Sequence, residues 1–236
     1  AAAMERQLDE PVRHSDTLRY LGWCEFLDGR LVDAEKHLRE AVRVANENGE
    51  DGTATFSLGL ISQVLLRSGR GTEALALARE LRELASTGRD PWGEWTCATL
   101  ESAALLGLGE LEEAWSIAVE AIARFDELGD ELSLGTARLV AAQSARLSGQ
   151  PDVARRILNL VLEAGRPTGV PAEDARALAE LAALELEEGR PDDAERRARS
   201  SLALVRAGIG DDESGLKALR VLARVALERD QEDVAE

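Results

Sequence analysis

The residues whose types could carry chemistry in this chain are two histidines, two cysteines and one glycine-rich hexapeptide. A base, nucleophile or metal ligand works only when a second polar group is fixed beside it. His14 and His37 have no such company in the sequence: there is no His-Glu-x-x-His, no Cys-x-x-Cys, no Ser elbow and no Walker loop. Both read as solvent-facing residues. Cys24 and Cys97 lack disulfide-framework spacing and read as packing residues. Gly69-Arg70-Gly71-Thr72-Glu73-Ala74 fits the dinucleotide fingerprint, but that loop must follow a strand, and residues 55–68 carry a helical pattern. The acid pairs Asp126-Glu127 and Asp130-Glu131 and the run Asp211-Asp212-Glu213 lack the alternating ligands and glycine of a calcium loop. The expectation is a chain with no catalytic residues, no metal and no cofactor, and so not an enzyme.

One cationic pattern differs. Lys217, Arg220 and Arg224 are spaced i, i+3 and i+7, which sets three cations on one face of a helix. The chain carries a net charge of −17, so a cationic face is not what random placement would favour. The plain alternative is an i, i+4 pair between Arg224 and Glu228 on a solvated helix. The overall negative field repels phosphate backbones and anionic headgroups, which argues against nucleic acid and membrane surfaces as partners. No apolar run reaches the ~18–20 residues of a membrane span. The start, Ala1-Ala2-Ala3-Met4-Glu5, has neither the basic nor the apolar region of a signal peptide, and its three alanines read as a cloning remnant. Two thiols without a pairing pattern fit a reducing compartment, and a cytoplasmic location is expected.

What positions these residues is a repeat. Gly29, Gly69, Gly109, Gly149 and Gly189 recur every forty residues, and an alanine follows each five residues on: Ala34, Ala74, Ala114, Ala154 and Ala194. Alanine, leucine, arginine and glutamate dominate the composition, and all four favour helix. Each glycine closes an apolar-periodic stretch of about four turns, where a chain end must adopt a left-handed conformation. Acids follow it (Asp33, Glu73, Glu112, Asp152, Asp192), where a new helix exposes free N–H groups. Pro151 and Pro191 fit a first helical turn. The small alanine lets two antiparallel helices approach closely. Asn48-Gly49, Asp90-Pro91, Gly129-Asp130 and Val170-Pro171 supply stops and starts between units.

The fold class expected is therefore all-α, a right-handed α-solenoid of tandem helix-turn-helix hairpins. Residues 1–14 are expected to hold the remnant and an N-terminal cap or partial helix. Five complete repeats should cover about 15–51, 52–90, 91–129, 130–169 and 170–210, with a sixth, truncated repeat over 211–236.

The first unit reads Leu18-x-x-Leu21-Gly22, then Gly29-Arg30-Leu31-Val32-Asp33-Ala34, then Ala41, and closely resembles the tetratricopeptide repeat. Later units keep the glycine and alanine but replace Gly22 by Ser62, Ser102, Ala142 and Ala182. The unit is also longer than the usual length of about 34 residues. This long form resembles the sensor-region repeats of large bacterial transcription activators of the maltose-regulon-activator kind. The resemblance implies a non-enzymatic scaffold holding a protein or peptide segment on a concave wall lined by the first helices. It puts the second, fifth, ninth and thirteenth residues of each unit on that wall, among them Arg19, Trp23, Phe56, Gln63, Arg67, Gln143, Arg176, Lys217, Arg220 and Arg224. Aromatic side chains gather at one end and cations at the other, so an acidic segment with apolar anchors is the expected partner. Trp92, Trp95 and Trp115 read as packing. Two other functions stay open. One is a sensory or regulatory region of a larger bacterial activator or signalling ATPase, holding a small effector or an inhibitor protein. The other is a self-assembly scaffold associating through its terminal repeat.

Overall fold

A computed structural model describes the backbone of residues 2–168 and 172–235, with side chains over 14–164 and 173–230. These residues form eleven helices and no strand. They are α1 (Ala2–Leu27), α2 (Leu31–Asn48), α3 (Asp51–Arg67), α4 (Gly71–Thr87), α5 (Pro91–Leu108), α6 (Leu111–Leu128), α7 (Glu131–Leu147), α8 (Pro151–Thr168), α9 (Ala172–Glu187), α10 (Pro191–Arg206) and α11 (Asp212–Ala235). The all-α class and the tandem hairpins expected from the sequence are what the chain adopts. Among the described residues no helix is long and apolar enough to cross a membrane.

The turns have one design. At Gly29 (φ 74°) the glycine N–H donates to the Phe26 carbonyl at 3.1 Å and the Arg30 N–H donates to the Glu25 carbonyl at 2.8 Å, which satisfies two orphan carbonyls at the helix end. The same pair of bonds recurs at 49, 69, 89, 109, 129, 149 and 189, so the punctuation falls every twenty residues, within hairpins and between them alike. Position 169, and with it the Val170-Pro171 joint, lies outside the described residues. At the last joint the left-handed residue is Gly208, one place early. Position 89 is the exception in kind: Gly88 stays right-handed and Arg89 takes the left-handed place at φ 56°.

After the turns, side-chain caps start only some of the helices. Asp90 accepts from the Gly93 N–H at 3.0 Å and Asp130 from the Ser133 N–H at 3.1 Å, whereas Arg30, Glu50, Arg70 and Arg190 make no side-chain cap bond. The five repeated alanines are fully buried. Close approach is tightest in the first hairpin, where a Cβ on Gly22 would sit 2.7 Å from Leu38 Cγ.

The helices sort into two compact units, Ala1–Glu110 and Leu111–Glu236. In the first, α1 pairs with α2 and α3 with α4, α5 packs on α4, and α1 and α5 each also touch α3. Its core holds Phe26, Leu38, Ile61 and Val64. In the second, α6 to α11 pack in sequence and the first helices α7, α9 and α11 touch side by side. Leu139, Leu158, Leu181 and Leu184 form one core cluster there, and Ala194, Ala198, Val221 and Val225 belong to another.

Candidate functional site

In the first unit the expected ligand-facing residues converge. Arg19 and Trp23 lie on α1; Phe56, Gln63 and Arg67 lie on α3 beside it. The Arg19 guanidinium donates to Asp16 at 3.1 Å and lies over two rings, Tyr20 at 4.1 Å and Phe56 at 5.0 Å. Arg67 donates from Nη1 to the Phe26 carbonyl at 2.9 Å and covers the Phe26 ring at 4.7 Å. Phe26 stacks in turn on Trp23, with centroids 5.7 Å apart. Two cation–aromatic stacks thus bridge α1 and α3, each contact adding about 0.5–1 kcal/mol at such exposure. Gln63 is half-buried beside them. Tyr20, the only tyrosine of the sequence, is 58% exposed and Phe56 is 51% exposed. The arrangement leaves the Tyr20 and Phe56 rings half-exposed, with two guanidinium groups set against the aromatic residues of α1 and α3.

In the second unit the expected residues are also close together, but they are committed to one another and to buried acids. Glu180 on α9 is 1% exposed. It accepts from Gln143 Nε2 at 2.6 Å and Arg146 Nε at 3.3 Å on α7, and from Lys217 Nζ on α11. Arg176 is paired with Asp211, and Arg224 donates to Glu228 at 3.0 Å. Burial opposes the charge on Asp211, but the Arg176 guanidinium and the amide and hydroxyl of Ser214 outweigh it. They hold the carboxyl below its ordinary range. Arg220 is exposed and meets no carboxylate among the described residues. A carboxylate partner that engages Arg176, Lys217 or Arg224 has to exchange with Asp211, Glu180 or Glu228 respectively.

Buried carboxylates are what sequence reasoning missed. Besides Glu180, the acids Glu25, Glu101 and Glu185 are each at most 5% exposed. Glu101 receives Arg79 Nε at 2.8 Å and Arg82 Nη1 at 2.9 Å from α4. Burying a carboxylate is tolerated only with such donors. His37 is corrected by the same observation: it is not a solvent-facing bystander, because its Nδ1 lies 2.6 Å from Glu25 Oε2. His14 is exposed.

Among the tryptophans, Trp95 is buried under the Arg82 guanidinium, Trp115 packs on the second unit's core, and Trp92 is 47% exposed. Both thiols are free; burial pushes Cys97 up to about 11. Among the described residues no three metal-ligating side chains come together.

Several solved structures share this architecture. One is a thermophilic TPR protein of Thermus thermophilus, with a TM-score of 0.63 and 22% identity over 90% of this chain and 97% of that one. The chain has the tetratricopeptide-repeat fold. A Rap protein complexed with competence and sporulation factor is similar at a TM-score of 0.73 and 14% identity, over 99% of this chain and 72% of that one. Aspartyl phosphate phosphatase F from Bacillus subtilis is similar at 0.69 and 14%, over 98% of this chain and 61% of that one. At these identities the likeness is one of fold. No protein-family model matches the chain, and no curated protein does.

Proposed function

We propose that the chain is a non-enzymatic scaffold that binds a protein through an extended segment laid on the first-helix face of its N-terminal unit. The observation that carries this is the half-exposed pair Tyr20 and Phe56 with the Arg19 guanidinium held between their rings. Exposed aromatic faces fixed by cations lose little conformational freedom on binding, which favours recognition of large apolar side chains. The expected ligand is an acidic segment with one or two such anchors. The anchors rest on Tyr20, Phe56 and Trp23, and the acids on Arg19 and Arg67. A structural neighbour complexed with competence and sporulation factor supports a partner-holding role for this fold.

The test is an array of acidic peptides with and without a central Trp, Phe or Leu, probed with the intact chain. Retention should require both features. Equal retention of peptides lacking any large apolar residue would contradict the reading.

A further inference from the structure

The first-helix face of the N-terminal unit has two unlike ends. At one end Tyr20 and Phe56 are half-exposed, and the Arg19 guanidinium against them already serves Asp16 through Nε and Nη2. At the other end Trp23 is half-buried, Phe26 is buried, and Arg67 lies over the Phe26 ring at 4.7 Å. Arg67 donates from Nη1 to the Phe26 carbonyl and meets no carboxylate among the described residues. Its Nε–Nη2 edge is a fork that fits a carboxylate with two parallel bonds. Gln63, one turn earlier on α3, makes no side-chain hydrogen bond among the described residues. The second unit shows what a glutamine at this place engages. Gln143, eighty residues on, donates to Glu180 at 2.6 Å, whereas the residue thirty-seven places after Gln63 is Leu100.

We infer that Gln63 and Arg67 form the carboxylate subsite of this face, with the ligand's acid about four residues from the apolar anchor that rests on Tyr20 and Phe56. The inference rests on the segment-binding reading above and gives it a register. Phe56 and Arg67 are eleven residues apart on α3, about 16 Å of helix. Arg19 and Phe26, which mark the same two ends on α1, are seven apart, about 10 Å. An extended segment advances about 3.3 Å per residue, so these limits correspond to about three to five residues. A shorter spacing cannot reach both ends, and a longer one must bulge between them. The path between is low at Gly59, where a Cβ would meet only Leu100, at 3.8 Å. In this register the ligand's carboxylate stands to Gln63 as Glu180 stands to Gln143. Arg67 is also the one guanidinium among the described side chains of α1, α3 and α5 that no carboxylate engages.

The test is a series of dye-labelled peptides read by fluorescence anisotropy on the intact chain. Each peptide carries one Trp and one Glu in a Gly-Ser background, in either order, with the two residues from adjacent to nine places apart. Binding should be tightest at about three to five places, by about tenfold over the adjacent and nine-place peptides. Replacing the Glu of the tightest peptide by Ala should weaken binding to the native chain about tenfold, and to Arg67→Gln by less than about twofold. Gln63→Ala, which breaks no side-chain hydrogen bond among the described residues, should shrink the Glu effect in the same sense. It carries the test alone if Arg67→Gln does not fold. Affinity that is flat across the series, or a Glu effect that stays about tenfold in the folded variants, overturns this inference. The segment-binding reading survives either result as long as Trp is still required. Binding that needs no Trp at any spacing overturns that reading and this inference with it.

Discussion

The carboxylate of Glu25 and the imidazole of His37 meet at 2.6 Å inside the first hairpin, and the fifth hairpin repeats the contact with Glu185 and Arg197 at 2.9 Å. In both, the acid stands four residues before the turn glycine and the base eight residues after it. The same two positions hold Leu65 and Leu77 in the second repeat and Ala145 and Ile157 in the fourth. Polar faces polar and apolar faces apolar, because a buried carboxylate opposite a leucine would keep its desolvation cost and lose its donor.

That rule predicts a coupled pair. His37→Leu alone leaves Glu25, among the described residues, with Arg30 at 3.4 Å, and should cost about 1–3 kcal/mol. Glu25→Leu alone strands the imidazole. The double replacement reproduces the second repeat and should lie within about 1 kcal/mol of the native chain in urea unfolding. Strictly additive losses would contradict the coupling.

Arg89 carries the second prediction. A side chain in the left-handed region is strained by roughly 1 kcal/mol, and glycine occupies every other described left-handed position. Arg89→Gly should therefore raise stability by up to about 1 kcal/mol, less the entropy that glycine adds to the unfolded chain. Arg89→Val should lower it. A thermal scan that ranks Val above Gly would remove the strain argument.

The third concerns acid. The folded-state pKa of Asp211 lies below its ordinary value. Its contribution is therefore complete above the unfolded value near 4 and is lost as pH falls through the lower folded one. Asn keeps the cap on the Ser214 N–H but not the pairing with Arg176. Asp211→Asn should cost about 1–3 kcal/mol at neutral pH, and the gap should narrow below about pH 4. A gap constant from pH 7 to pH 3 would mean that the charge plays no part.

Much of the fold was legible because its determinants are local. Gly29, Ala34 and their recurrences punctuate and pack the chain through contacts within a few residues or within one hairpin. The forty-residue spacing of the glycines shows half the punctuation: Gly49 and Gly129 belong to the same twenty-residue series, and Arg89 conceals it. The candidate site was legible where aromatic residues mark it, at Trp23 and Phe56. Its electrostatics were not. The carboxylates that engage Arg176 and Lys217 are Asp211 and Glu180, thirty-five and thirty-seven residues away on neighbouring helices, beyond any i, i+4 rule. The pairing of Glu25 with His37 left a trace in the sequence, visible only when the repeats are laid over one another at both positions together.

The affinity of the strongest array peptide for three forms of the chain tests the central claim most directly. These are the native chain, Tyr20→Ala with Phe56→Ala, and Arg220→Glu with Arg224→Glu. Both pairs of side chains are exposed, so both variants should stay folded at the assay temperature, with the aromatic pair losing about 1–2 kcal/mol of its contacts with Arg19. If the first-helix face of the N-terminal unit holds the ligand, the aromatic pair should weaken binding by about tenfold or more, a loss of roughly 1.4 kcal/mol. The arginine pair should change it far less. Full affinity after loss of both aromatic side chains, with binding abolished by the arginine reversals, would contradict the account and move the site to the second unit.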